Sequence, residues 1–188
     1  TAMIYLMASD ETEPGQPFSL ETVASLARKK NIPVLIDAAA EDLTLPNIHL
    51  KRGATVVAYS GGKALCGPQC AGLLLGRKDL LLSAWQASSP HHGPGRDNKV
   101  GKEEMLGMLA AIESWVTRDH VEKMRNWHTY LETISKRVSS VKGVKCTIEE
   151  PQGLSNHSPS LVISWNPDNF NINGADVKEN LATKQPRI

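Results

Sequence analysis

Pro33-Val34-Leu35-Ile36-Asp37 and Thr55-Val56-Val57-Ala58-Tyr59-Ser60-Gly61-Gly62-Lys63 decide how this chain folds. Each is a short aliphatic run, too brief for a typical helix, that stops abruptly at polar or glycine residues, as a buried strand does. Working outward, Ala2 to Ala8 reads as an earlier strand and Ala71 to Leu75 as a later one. Between the first two strands Ser19 can cap a helix whose apolar face is Leu20, Val23, Ala24 and Ala27 and whose end is the basic Arg28-Lys29-Lys30. Strands that alternate with helical patterns predict an α/β fold with a mostly parallel sheet.

Beyond these strands, Lys78 to Ala87 is expected to be a helix, and the Pro/Gly/His-rich stretch from Ser88 to Gly101 a functional loop. A long helical pattern follows from about Lys102 to Ser140, with a bend expected near Thr117 to His120. Gly143 opens a new unit, with strands near Val144 to Ile148 and Ser160 to Trp165 and a short helix from Ala175. Trp115, Trp127 and Trp165 sit in these patterns as core or interface residues.

The 188 residues are 40% hydrophobic and 22% charged, which excludes the disordered, collagen-like and membrane classes. Twenty-one Lys+Arg against 20 Asp+Glu leave a net charge of +1, so no global field selects nucleic acid or an anionic membrane. Cys66, Cys70 and Cys146 are an odd, sparse set with no Cys-x-x-Cys pair, which supports neither a disulfide framework nor a metal site and fits a cytoplasmic setting. No apolar run approaches the ~20 residues that cross a bilayer, so no membrane association is expected.

Chemistry concentrates at two strand ends. Asp37 and Lys63 both follow predicted strands, and in open α/β sheets ligands bind at the carboxyl ends of strands. A lysine in a Gly-rich turn can form a Schiff base with an aldehyde such as pyridoxal phosphate, while a carboxylate keeps the ring nitrogen protonated. Ser60 can offer its hydroxyl and N–H to the cofactor phosphate beside Gly61-Gly62. A nucleotide-binding P-loop is the competing reading of this turn and fits less well, because Val57 stands where its first glycine belongs and Ala64 where its Ser/Thr would hold magnesium. The plainer alternatives are that Asp37 only caps a helix and that Gly61-Gly62-Lys63 is a surface turn. In the loop, Arg96 can fork onto a substrate carboxylate or phosphate, or stay solvated; His91, His92 and Gln69 are weaker candidates.

The strings LIDAAAE (35–41), AYSGGKALCGPQCAGLLLGRKDLL (58–81), GPGRDNKVGKEEMLGMLAAIESW (93–115) and HSPSLVISWNPD (157–168) carry a resemblance. They are similar to the fold-type I pyridoxal phosphate enzymes, and within them to the group of selenocysteine synthase (L-seryl-tRNA selenium transferase) and D-glucosaminate-6-phosphate ammonia lyase. That resemblance implies that Lys63 is the Schiff-base lysine, Asp37 the pyridinium partner and Ser60 a phosphate-side ligand. It implies a lyase that acts on a small amino acid or amino-sugar acid by Cα proton abstraction and β-elimination, releasing ammonia and a 2-oxo acid. The alternatives are a selenium transferase, with seryl-tRNA as partner, and a non-catalytic fragment. A homo-oligomer is expected. The stretch with Lys99, Lys102, Glu103 and Glu104 looks more like the lyase branch.

The resemblance also implies a partial chain, because the phosphate cup and the ring-stacking side chain of such enzymes come from earlier strands. A strand that begins at residue 1 without Met, and a helical pattern that runs out at Ile188, give the same expectation. The expected organisation is the second half of a large domain over residues 1–100, a long connecting helix over 101–142 and an incomplete α+β small domain over 143–188.

Overall fold

The computed structural model describes residues 1–155 and 158–185. It divides into two compact units, Thr1–Arg118 with Gly153–His157, and Asp119–Gln152 with Ser158–Ile188.

In the first unit a four-stranded sheet runs in the order β1 (Ile4–Met7), β2 (Val34–Asp37), β3 (Val56–Ser60), β4 (Gly72–Gly76). β1, β2 and β3 are parallel, as the sequence predicts. β4 is antiparallel to β3. A parallel return needs a crossover of a dozen or more residues, usually a helix, and the stretch from Gly61 to Ala71 holds only turns.

α1 (Leu20–Arg28) links β1 to β2, with Ser19 Oγ accepting from Thr22 N and Leu20, Ala24 and Ala27 buried. The apolar spacing read from the sequence therefore marks the packed face, although Val23 is only partly buried. β2 leads through a turn to the single-turn helix α2 (Ile48–Lys51), capped by Asn47. α3 (Lys78–Ala87) follows β4 with the bounds the sequence predicts, and residues 88–101 form the expected loop.

The core lies on one face of the sheet. Ile36 and Val57 are fully buried and paired in register, and Leu20, Leu65, Met108 and Trp115 pack in the same cluster. Trp115 also donates its indole N–H to Leu43 O at 2.8 Å, which pins α4 (Lys102–Thr117) to the segment after β2. The Arg52 guanidinium gathers the chain between β1 and α1, bonding Thr12 O at 2.6 Å and Glu21 at 2.7 Å.

The expected single long helix is in fact two. Arg118 and Asp119 are extended, and the Asp119 carboxylate accepts from the N–H groups of Val121 and Glu122, starting α5 (His120–Val138) as a separate helix. α4 groups with the first unit and α5 with the second. In that second unit β5 (Val144–Glu149) and β6 (Ser160–Trp165) form an antiparallel pair, followed by α6 (Pro167–Phe170) and α7 (Gly174–Ala182). Alternate residues of β5 are partly buried, and Trp165 bonds Ile172 O through its indole N–H. Trp115 is thus core, while Trp127 and Trp165 are only partly buried. His157, which opens the string 157–168, and Ile188, where the helical pattern runs out, lie outside the described residues.

A buried histidine–carboxylate pair lies inside the first unit. His49 is fully buried and Glu41 nearly so, with Nε2 and Oε2 2.5 Å apart. Removing one partner of such a pair strands the other without compensation. Glu41→Ala is expected to cost about 3–5 kcal/mol in a denaturant titration, and Glu41→Gln, which keeps an acceptor for His49, distinctly less.

Candidate functional site

Asp37 closes β2 and is matched in register with Met7 of β1 and Ala58 of β3. Its backbone is held on both sides: Ala8 N donates to Asp37 O, and Ala38 N to Ala58 O, each at 2.9 Å. Its carboxylate is equally fixed. Oδ1 accepts from Ala39 N at 3.0 Å and Oδ2 from the Tyr5 hydroxyl at 2.8 Å. The Ala39 contact is local turn chemistry of the kind the capping alternative foresaw, but Asp37 caps no helix, since α2 begins only at Ile48.

Lys63 stands in the turn after β3. Gly61 N donates to Ala71 O at 2.9 Å, Gly67 N to Gly61 O at 2.7 Å and Cys66 N to Lys63 O at 2.9 Å, so backbone bonds shape the turn. Gln69 closes it by donating from Nε2 to Gly62 O at 3.2 Å. A side chain at Gly61 is excluded, because a Cβ there would lie 2.7 Å from Ala71 O, Pro68 O and Met108 Sδ. The Lys63 side chain itself is exposed.

These two elements meet. Asp37 and Lys63 line one cleft of about 140 Å³, with Met7, Ala8, Ala38, Ala39, Ala40 and Glu41. Small ligand sites begin near 300 Å³, so the cleft has the size of one end of a site. A carboxylate with both oxygens already hydrogen-bonded and an exposed primary amine in a sterically tight glycine turn are the donor set that a pyridine nitrogen and an aldehyde require. Ser60 ends β3, partly buried and opposite Gly72.

Arg96 is not among the residues lining the cleft; its Nη1 donates to Ser89 Oγ at 2.5 Å inside the 88–101 loop. His91 packs edge-on against Trp85, with ring centroids 4.4 Å apart. Sequence reasoning missed Tyr5 and Glu41. Tyr5 reads as one more residue of a buried strand, although a tyrosine among Met and Leu residues is a faint signal. Glu41 falls four residues after Asp37 in a stretch with no helical or strand period.

No family model matches the chain. It is 26% identical over 180 residues to a D-glucosaminate-6-phosphate ammonia lyase of Salmonella typhimurium, covering 96% of this chain and 46% of that protein. It is 25% identical to a 5'-C-glycyluridine monooxygenase-decarboxylase of a Streptomyces species, over 86% of this chain and 39% of that protein. An L-seryl-tRNA(Sec) selenium transferase of Proteus mirabilis is 31% identical over 48% of this chain and 20% of its own length. Among solved structures, a D-glucosaminate-6-phosphate ammonia-lyase superposes with a TM-score of 0.79 at 25% identity, over 98% of this chain and 47% of that one.

The fold is that of the fold-type I enzymes. The chain spans less than half the length of the curated relatives it matches. The resemblance drawn from the motifs therefore holds along almost the whole chain, on both sides of the lysine turn.

The Tyr5–Asp37 contact has a measurable signature. The phenol is raised above its ordinary value, first by its bond to Asp37, then by burial and by repulsion from the carboxylate. Because the folded value is the higher one, the contribution of this bond is complete below the ordinary tyrosine range and is lost as pH rises through the elevated value. Asp37→Asn removes the negative charge, so one tyrosine transition is expected to move down in an ultraviolet phenolate titration. Tyr59, held high mainly by its burial, should keep its own transition.

Proposed function

We propose that this chain forms the lysine-bearing part of a pyridoxal phosphate-dependent lyase acting on an amino-sugar acid. The observation that carries the reading is the convergence of Asp37 and Lys63 on one cleft at the carboxyl ends of β2 and β3. The similarity to an ammonia lyase over 96% of the chain supports it.

Bound there, pyridoxal phosphate would supply an aldehyde for amine exchange and a ring that withdraws electrons from the substrate Cα. Asp37 would be the carboxylate for the ring nitrogen, its two oxygens held by the Tyr5 hydroxyl and the Ala39 N–H. Ser60 is the candidate for the phosphate. Lys63 Nζ is the amine that would hold the aldehyde, and as a free amine it would accept the Cα proton. The β-hydroxyl then leaves with a proton as water, and hydrolysis of the released product yields a 2-oxo acid and ammonia. Arg96, with donors to spare beyond Ser89, is the candidate for a substrate carboxylate or phosphate.

The selenium-transferase reading has less support, because that similarity covers 48% of the chain and the net charge of +1 provides no general attraction for tRNA. A cytoplasmic homo-oligomer accords with the free cysteines and with the exposed Trp85 and Leu106.

Borohydride reduction of the full-length protein with pyridoxal phosphate, followed by peptide mass spectrometry, should place a pyridoxyl group on Lys63. Lys63→Ala should lose the adduct and lower ammonia release at least 1,000-fold, on the order of the loss seen when a nucleophile that also moves protons is removed. An adduct on another lysine, or none, overturns the assignment.

A further inference from the structure

We propose that Tyr5 is a positioning residue for Asp37, fixing the carboxylate that faces a heteroaromatic N–H cation. The proposal rests on the reading above and adds a residue to it. Tyr5 lies on β1 opposite Leu35, two positions before the register partner of Asp37, so its ring rises on the same sheet face and reaches along it to Oδ2.

Two donors approaching different oxygens, Tyr5 O–H on Oδ2 and Ala39 N–H on Oδ1, hold the carboxylate plane against rotation. Each oxygen still keeps a lone-pair direction for one more donor. A cationic ring N–H brought against such a carboxylate would find its partner already oriented, and an ion pair there would keep the ring an electron sink.

Packing does not account for the hydroxyl. Tyr5 is 59% exposed, so its ring contributes little to the core, and its phenol bonds a carboxylate that lines the cleft between β2 and the lysine turn. Tyr5→Phe should therefore leave the fold intact while removing one of the two donors.

The test uses the full-length protein, its Tyr5→Phe and Asp37→Asn variants, and the double variant. Thermal unfolding first establishes that Tyr5→Phe melts with the parent. Absorbance titration then reads the affinity for pyridoxal phosphate, and a pH series reads the bound spectrum. Loss of one hydrogen bond to a partly solvated charge should weaken binding about three- to tenfold and shift the pH at which the bound spectrum changes. In the Asp37→Asn background the further loss of the Tyr5 hydroxyl should have no added effect. Equal affinity and an unchanged pH profile in Tyr5→Phe overturn the proposal, as does full additivity in the double variant. A parent protein that binds no pyridoxal phosphate at Lys63 overturns the proposed function instead, and the phenolate titration then still shows whether the Tyr5–Asp37 bond exists.

Discussion

The parallel register of β2 against β3 underlies the architecture of the first unit. Ile36 opposite Val57, both sealed from solvent, sets which residues of each strand face the core. A slip of one residue would turn Ile36 outward and Asp37 inward, exchanging a buried aliphatic for a buried charge. The cost of that exchange falls on the same few residues that build the cleft, so the packing of the sheet and the placement of its polar end are one constraint. Asp37 is delivered to the rim because Ile36 cannot leave the core.

A second constraint lies behind the cleft. The turn after Asp37 is tied down at Glu41, whose side chain meets His49 in the interior while its backbone pairs with Ser155. His49 Nδ1 has no hydrogen-bond partner among the described residues. A buried ionisable pair with an unfilled site is seldom the most stable solution available, since an apolar pair of the same volume often does as well or better. Its presence beside Lys63 and Asp37 indicates a segment shaped by more than stability.

How much of this was legible in the sequence differs from element to element. Aliphatic runs ending in Asp37 and Ser60 were readable because strand burial and strand-end polarity are local signals. The helix Lys78–Ala87 was readable because its start and stop lie within a few residues of each other. The antiparallel course of β4 was not read, although the lack of a helix between Ser60 and Gly72 was available as a clue. The break at Asp119 was foreseen only as a bend, because the apolar period runs on through it while capping ends the helix. Tyr5 was beyond reach for a different reason: its partner lies 32 residues away, and only the register of two strands brings phenol and carboxylate together. Pattern reading finds the residues whose chemistry is unusual where they stand, and misses those made useful by a neighbour.

Among the described residues β1 stands at the rim of the sheet, bonded to β2 on one flank. Along its other flank, alternate amide and carbonyl groups point outward, next to the exposed side chains of Tyr5 and Met7. A strand margin of this kind can take another strand. The residue proposed to steady Asp37 belongs to that edge, so a strand added there would change how much water reaches the phenol and, through it, the carboxylate.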